Sequence, residues 1–334
     1  MRAVVINGKE DLEVVEVPDP EPGPDQVRLR IAYAGICGSD LHYYYEGANG
    51  AFVVREPLVP GHEVSGTVDL DPSGQLAPGT PVTVHPATFG EQRPGIEDRP
   101  HLWPGGAYLG SASTWPHTQG GMSELLLVDR SMVRVLPRSL PLRRAALAEP
   151  LAVGLHGITL AGGVDGARVL VTGSGPIGLL TAAAALAGGA AQVTATDVLP
   201  GPLERARALG VHRTVDVSAE ELPAEAYDVV LECSGVPASI NAAFRAARRA
   251  GVHVQLGMVP DEPKGINLAP MISKELTVLG SFRFKDEIDA AVALLDARPE
   301  IEQVVTHELP ADRALEAFAV ARDSQASGKV LVAL

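Results

Sequence analysis

The stretch Val169 to Gly178 reads VLVTGSGPIG: an apolar run passes without a break into G-x-G-x-x-G, and a helical pattern follows to Ala187. An isolated glycine triplet reads as a turn. A strand before it and a helix behind it make it a dinucleotide-binding fingerprint. Gly173 permits the tight turn, Gly175 lets the backbone approach a pyrophosphate, and Gly178 lets the helix pack closely on the strand. Phosphate would then meet the helix N-terminus, where Pro176 and Ile177 complete the cofactor-binding stretch. Asp197 ends the next apolar run, QVTATD, 24 residues after Gly173. Its carboxylate is placed to accept hydrogen bonds from both ribose hydroxyls and to repel a 2′-phosphate. Val198, Leu199 and Pro200 supply no cation to recognise one, so the pattern favours NAD over NADP. Arg205 and Arg207 lie further along.

Outward from this stretch, apolar runs alternate with helical patterns from Ala167 onward, the signature of βαβ units and a parallel sheet. The expected strands are RVLVTG, QVTATD, TVDV, YDVVLECS, VHVQL and LTVLGS. The expected helices run over 176–187, 202–209, 237–249 and 285–297, with another over 312–322 before a final strand in GKVLVAL. Ser234 and Gly235, at the carboxyl end of YDVVLECS, should approach the cofactor ribose, while Cys233 reads as buried core. The first 150 or so residues differ: RAVVI, LEVVEV, QVRLRIAYAGI, HEVSGTVDL, TPVTVHP and SELLLVD are short β segments separated by Pro and Gly clusters, as in an antiparallel, barrel-like domain. The predicted class is therefore α/β with two domains, a β-rich one over 1–148, to which 285–334 returns, and a parallel-sheet one over 149–284. Pro86 to Gly121 fits neither pattern and is long for a connection, which marks it as a functional loop or lobe.

Composition narrows the function. The 334 residues carry 27 basic and 41 acidic side chains, a net charge of −14 that disfavours nucleic acid and anionic membranes as partners. Two cysteines, Cys37 and Cys233, cannot build a disulfide framework, and a reducing cytoplasm is expected. The opening MRAVVINGKE lacks a signal-peptide core, and glycines, a proline and threonines interrupt the long uncharged stretch from Val169 to Thr196, so neither export nor membrane insertion is expected.

A second constellation lies in the β-rich half. Cys37 stands in GICGSD; 25 residues on, His62 and Glu63 are adjacent in PGHE; Glu149 follows in AEPLAVGLHG. Each alone reads as a core or surface residue. Together, thiol, imidazole and carboxylate form a set that Zn²⁺ accepts, with a position left for water or substrate.

GICGSDLHYY, PLVPGHEVSGTV, AEPLAVGLHG and VTGSGPIG, in that order and spacing, resemble the zinc-dependent medium-chain alcohol dehydrogenases over nearly the whole chain. Glu149 in EPL and the segment GSFRF look like the polyol and sugar branch, and GSASTWPHTQGGMSE looks like the L-idonate 5-dehydrogenases. The resemblance implies a GroES-like catalytic domain, a Rossmann domain and a cleft site in which Cys37, His62 and Glu149 hold one catalytic zinc, with Glu63 replacing or exchanging with Glu149. Many relatives carry a structural zinc in a four-cysteine lobe at the place of Pro86 to Gly121. That window has no cysteine here, so no structural zinc is expected, and His85, His101 and His117 read as packing or solvent residues.

The implied chemistry is hydride transfer from a secondary alcohol to NAD. Ser39 resembles the hydroxyl that bonds the reacting oxygen, and His42 would continue a proton relay; the plain alternative places both on a helix beginning at Asp40. Tyr43 would present a hydroxyl to a polyol or sugar-acid substrate. Arg283 would fork onto a substrate carboxylate or order the zinc carboxylates. L-idonate is the favoured substrate, sorbitol, xylitol or L-threonine the alternatives, and a non-catalytic NAD-binding protein the competing class. Relatives imply a homo-oligomer, a tetramer or dimer joined through the nucleotide domain.

Overall fold

The computed structural model describes residues 1–259 and 262–334, which divide into two compact units. Unit 1 comprises 1–149, 295–323 and 329–334; unit 2 comprises 150–294 and 324–328.

Unit 1 is built on a seven-stranded sheet in the order Val133–Val135, Pro81–Val84, Glu63–Leu70, Gln26–Gly35, Lys329–Ala333 and Val305–Pro310, with Leu125–Asp129 also pairing on Gln26–Gly35. Its pairs are antiparallel except the last, Val305–Pro310 beside Lys329–Ala333, which are joined through the helix Ala314–Arg322. This is why the C-terminal chain belongs to unit 1. Leu309, Ala317, Phe318, Val330 and Val332 enter the same buried cluster as Val4, Leu29, Val64 and Met122. The return begins at Leu295, not at Lys285 as the sequence reading had it, and 324–328 lies in unit 2.

Unit 2 holds a six-stranded parallel sheet ordered Arg213–Asp216, Gln192–Asp197, Arg168–Thr172, Tyr227–Glu232, Ala247–Gln255 and Thr277–Gly280. Strand order reverses between Arg168–Thr172 and Tyr227–Glu232, the place where an open α/β sheet receives its ligand. The helix Pro176–Ala187 is observed with the bounds that its sequence pattern gives. Others differ. The helix from Pro237 stops at Ala246, not Arg249, because the Lys274 ammonium donates to the carbonyl oxygens of Phe244 (2.6 Å) and Arg245 (3.0 Å) and caps its negative end. The helix expected from Lys285 starts at Ile288, since Glu287 first closes a turn by accepting the N–H groups of Lys285 and Asp286. Ala148–Leu160 is helical and had no helix assigned to it.

Pro86 to Gly121 forms neither sheet layer nor long helix. A short ribbon pairs Ala87–Thr88 with Ala107–Tyr108, a bridge joins Ser111 to Thr118, and Trp103 Nε1 donates to Ile96 O (2.8 Å). Among the described residues, no helix is long and apolar enough to cross a membrane.

Candidate active site

In unit 1, Cys37 directly precedes the helix Gly38–Glu46, which begins two residues earlier than Asp40. Asp40 is fully buried and bridges two segments, accepting the N–H of Cys37 (2.8 Å) and that of Gly61 (3.2 Å). One carboxylate thereby fastens the cysteine segment to the histidine segment. Glu63 opens its strand opposite Gly35, and a Cβ on Gly35 would lie 2.1 Å from Glu63 Oε2. Only glycine there leaves the carboxylate its room. The ligand atoms of Cys37, His62 and Glu63 all lie within 4.8 Å of one another.

Two residues absent from the sequence reading complete this group. Lys329, from the last strand, donates from Nζ to Glu63 Oε1 (2.6 Å) and to Ile36 O (3.0 Å), with both side chains buried. Tyr108 donates its hydroxyl to Glu149 Oε1 (2.5 Å), and its ring meets His62 edge-on at 5.3 Å. Glu149 sits buried in the first turn of Ala148–Leu160.

The electrostatics of the group favour a cation. Burial pulls the His62 imidazole down, yet Cys37, Glu149 and Asp40 push it up to about 10. Burial raises Glu149, with Glu63 adding to the rise and His62, Tyr108 and Lys329 opposing it. Burial also lowers Lys329, but Glu63, Cys37 and Glu149 more than reverse this. Glu63 Oε2 is buried without a hydrogen-bond partner among the described residues. Sulfur, imidazole and an unengaged carboxylate oxygen in a pocket with excess negative charge fit a zinc ion, and Glu149 adds a further carboxylate.

The other predicted residues of unit 1 divide. Ser39 lies in the first turn of its helix, half-buried. His42 is 53% exposed and pairs through Nδ1 with Glu46 Oε1 (3.0 Å), on the surface of its helix. Tyr43 lies further inside. It is 1% exposed, with its hydroxyl 3.2 Å from Ser111 Oγ and accepting the N–H of Ala112 (3.1 Å), so it anchors a loop. His85 Nδ1 accepts the N–H of Ala87 (3.3 Å), and His117 Nε2 accepts that of Arg55 (2.9 Å).

In unit 2 the glycine turn is tightly packed. Gly173 adopts φ 82°, and a Cβ on Gly178 would lie 1.8 Å from Gly173 O, whereas one on Gly175 would meet open space. Gly175 caps the helix in which Pro176 and Ile177 are the first two residues. Asp197 Oδ2 accepts the Ser174 N–H (2.9 Å), tying the end of its strand to the glycine turn. Its Oδ1 accepts those of Val198 (2.8 Å) and Leu199 (3.0 Å). Ser234 and Gly235 follow the strand Tyr227–Glu232, which pairs with Arg168–Thr172 on its other side. Arg283 has left-handed backbone (φ 52°), and its guanidinium lies 4.8 Å from the ring centre of Phe282.

Removing the ammonium isolates the buried carboxylates. In metal-free protein, Lys329→Met should destabilise unit 1 by about 3–5 kcal/mol in urea unfolding, and adding Glu63→Gln should restore at least half of the loss.

Residues 23–138 match the model of the alcohol dehydrogenase GroES-like domain, and residues 176–297 match that of the zinc-binding dehydrogenases. The chain is 36% identical over 330 residues to a sorbitol dehydrogenase of Gallus gallus, covering 95% of this chain and 92% of that protein. It is 35% identical over 303 residues to an L-idonate 5-dehydrogenase (NAD(P)(+)) of Escherichia coli, with 88% and 87% covered. The crystal structure of an E. coli L-idonate 5-dehydrogenase superposes with TM-score 0.94 at 32% identity, covering 100% of this chain and 98% of that one. A Sinorhizobium meliloti protein solved bound to NADP gives TM-score 0.90 at 30% identity, with 100% and 99% covered. These likenesses span both units, and the chain belongs to the zinc-dependent medium-chain dehydrogenases, as an oxidoreductase of the polyol branch that acts on CH–OH donors with zinc and a nicotinamide cofactor.

Proposed function

We propose that the protein is an NAD-dependent dehydrogenase of a polyol or sugar acid, converting L-idonate and 5-ketogluconate. The observation that carries this reading is the convergence of Cys37, His62 and Glu63 on one point within 4.8 Å, with Glu63 Oε2 unengaged. Cys37 and His62 would hold a single catalytic zinc, with Glu149 or Glu63 as the carboxylate ligand. Zinc bound there supplies Lewis acidity that lowers the pKa of an alcohol hydroxyl, and the nicotinamide accepts hydride. The protein's own residues do the rest. Asp40 holds the cysteine and histidine segments in register. Lys329 neutralises Glu63, and Tyr108 engages one oxygen of Glu149 and leaves the other available. Ser39 would act on the substrate hydroxyl proton, and Arg283 would hold a substrate carboxylate. The 36% identity to a sorbitol dehydrogenase favours sorbitol or xylitol as the second reading, with L-threonine the remaining alternative.

Gly173, Gly175, Pro176, Ile177 and Gly178 would cradle the pyrophosphate, with Ser234 and Gly235 along the ribose. The site chosen for selecting NAD is Asp197, whose charge repels a 2′-phosphate. The chain would associate with itself through unit 2. Strand Thr277–Gly280 ends the parallel sheet with Val278 exposed, near Ile272, which is 69% exposed. An uncovered apolar sheet edge is a template for pairing with a second copy.

Four measurements bear on this. Chelation should reduce dehydrogenase activity to background and added zinc should restore it, while initial rates across L-idonate, sorbitol, xylitol and L-threonine should give the highest kcat/KM with L-idonate. Good turnover of another substrate with none of L-idonate rejects the narrow assignment. Asp197→Ser should lower the NAD-over-NADP ratio of kcat/KM by about tenfold, a change of about 1.4 kcal/mol; an unchanged ratio removes Asp197 as the selector. Light scattering should find a dimer or tetramer that Val278→Asp shifts toward monomer.

A further inference from the structure

Neither group of residues above includes Glu232, yet it is the most heavily bonded carboxylate of the parallel-sheet unit. It ends the strand Tyr227–Glu232 and is fully buried. Its side-chain oxygens accept from Thr172 Oγ1 (3.1 Å), Ser239 Oγ (3.0 Å), Gln255 Nε2 (2.6 Å), the Ser234 N–H (3.2 Å), the Gly235 N–H (2.9 Å) and the Ser234 hydroxyl. Its main-chain oxygen accepts the N–H groups of Leu256 and Gly257, both at 2.8 Å. None of these partners is a cation. A carboxylate buried in this way persists only because neutral donors satisfy it.

The donors are not scattered. Thr172, Glu232 and Gln255 are the last residues of three adjacent parallel strands, and the first two strands flank the point where strand order reverses. Thr172 is followed directly by Gly173. A Cβ on Gly173 would lie 2.9 Å from Ser234 Cβ and 3.0 Å from Ser234 N, so Ser234 forms the wall against which the glycine turn is set. Behind it, Gly257 closes on Gly235, where a Cβ would lie 2.3 Å from Gly235 N.

The geometry points to Glu232 as a positioning residue for the nicotinamide cofactor: from beneath the strand ends it fixes the 233–235 turn against Gly173 and so sets the shape of the phosphate-binding turn. This rests on the reading of Gly173 to Gly178 as the cofactor site. The role calls for a carboxylate, because six donors converge on it and only an acceptor-only group faces all of them. Glutamine has the same shape but turns two N–H bonds toward groups that are themselves donors.

The test uses the full-length, zinc-loaded protein and NADH as the probe. Glu232→Gln should raise the Kd of NADH in a fluorescence titration, and the KM of NAD, by about tenfold, the worth of one hydrogen bond to a charged group. Zinc per chain, the KM of the alcohol and kcat at saturating NAD should stay at wild-type values. A general loss of structure would instead lower kcat or zinc content along with cofactor affinity, and would overturn the proposal. Thr172→Val, which removes one donor and conserves volume, should raise the Kd of NADH by about threefold and decides the matter if the glutamine variant does not fold. Wild-type affinity in both variants, or in Thr172→Val alone when the other cannot be made, overturns the role of Glu232. Absence of NADH binding by the wild-type protein overturns the cofactor reading itself, a separate result.

Discussion

An ammonium on the last strand of the chain meets a carboxylate 266 positions earlier, and the first unit is arranged around that contact. Lys329 and Glu63 are both buried, so neither charge has water to fall back on, and attraction between them must offset the loss of hydration. The contact requires the C-terminal strand to lie beside Gln26–Gly35, and it requires Gly35 to have no side chain. It satisfies only one oxygen of Glu63. The other is left without a partner among the described residues, in a group with Cys37 and His62 whose surroundings raise a buried imidazole. Folding the chain back on itself and preparing a place for a cation are thus one event.

The two units solve the same problem, a fully buried glutamate, in opposite ways. Glu63 is stabilised by one cation and keeps an oxygen unengaged, as a ligand must. Glu232 is surrounded by neutral donors from side chains and backbone and has nothing left to offer a metal. Its work is mechanical, holding three strand ends at fixed separation. Burial alone therefore does not identify a metal ligand; the count of donors around a carboxylate distinguishes a binding group from a strut.

What was legible in the sequence follows from range. The glycine turn, its strand and its helix are determined within ten residues or so, and the parallel-sheet strands announce themselves as continuous apolar runs. Cys37, His62 and Glu63 were legible because local motifs carry them. Lys329 was not: in KVLVA it reads as a charge at the edge of a strand, and only its pairing with a distant carboxylate explains its burial. Asp40 and Glu232 failed for the same reason, since each has, besides near neighbours, a partner from a distant segment: Gly61, 21 positions from Asp40, and Thr172, 60 positions from Glu232. The placement of Tyr43 to Tyr45 was not legible, because an i, i+1 run of aromatics carries no information on which ring faces inward. The structure buries the first, packs Tyr44 on Phe318 at 5.5 Å and leaves Tyr45 beneath Arg322 at 4.3 Å.

The segment Pro86 to Gly121 shows how a loop without cysteines is held in shape. Its ties are many and individually modest: the Ala87–Thr88 ribbon on Ala107–Tyr108, the Ser111 to Thr118 bridge, the Trp103 indole on Ile96 O, and the Tyr43 hydroxyl beneath Ser111 and Ala112. His117 adds two long-range bonds, accepting from Arg55 and donating its own N–H to Glu56 Oε1 (2.5 Å). A single hydrogen bond of this kind contributes about 1 kcal/mol, so no one of them fixes the loop, but together they restrict both of its ends. The consequence reaches the metal-ligand group. Tyr108 leaves the ribbon with its hydroxyl on Glu149 and its ring against His62, so the conformation of this loop sets the orientation of two residues proposed to hold the metal. Partners of metal ligands exert their effect in this way, by fixing which ligand atom remains available. Tyr43 contributes from further out by holding the loop that carries Tyr108.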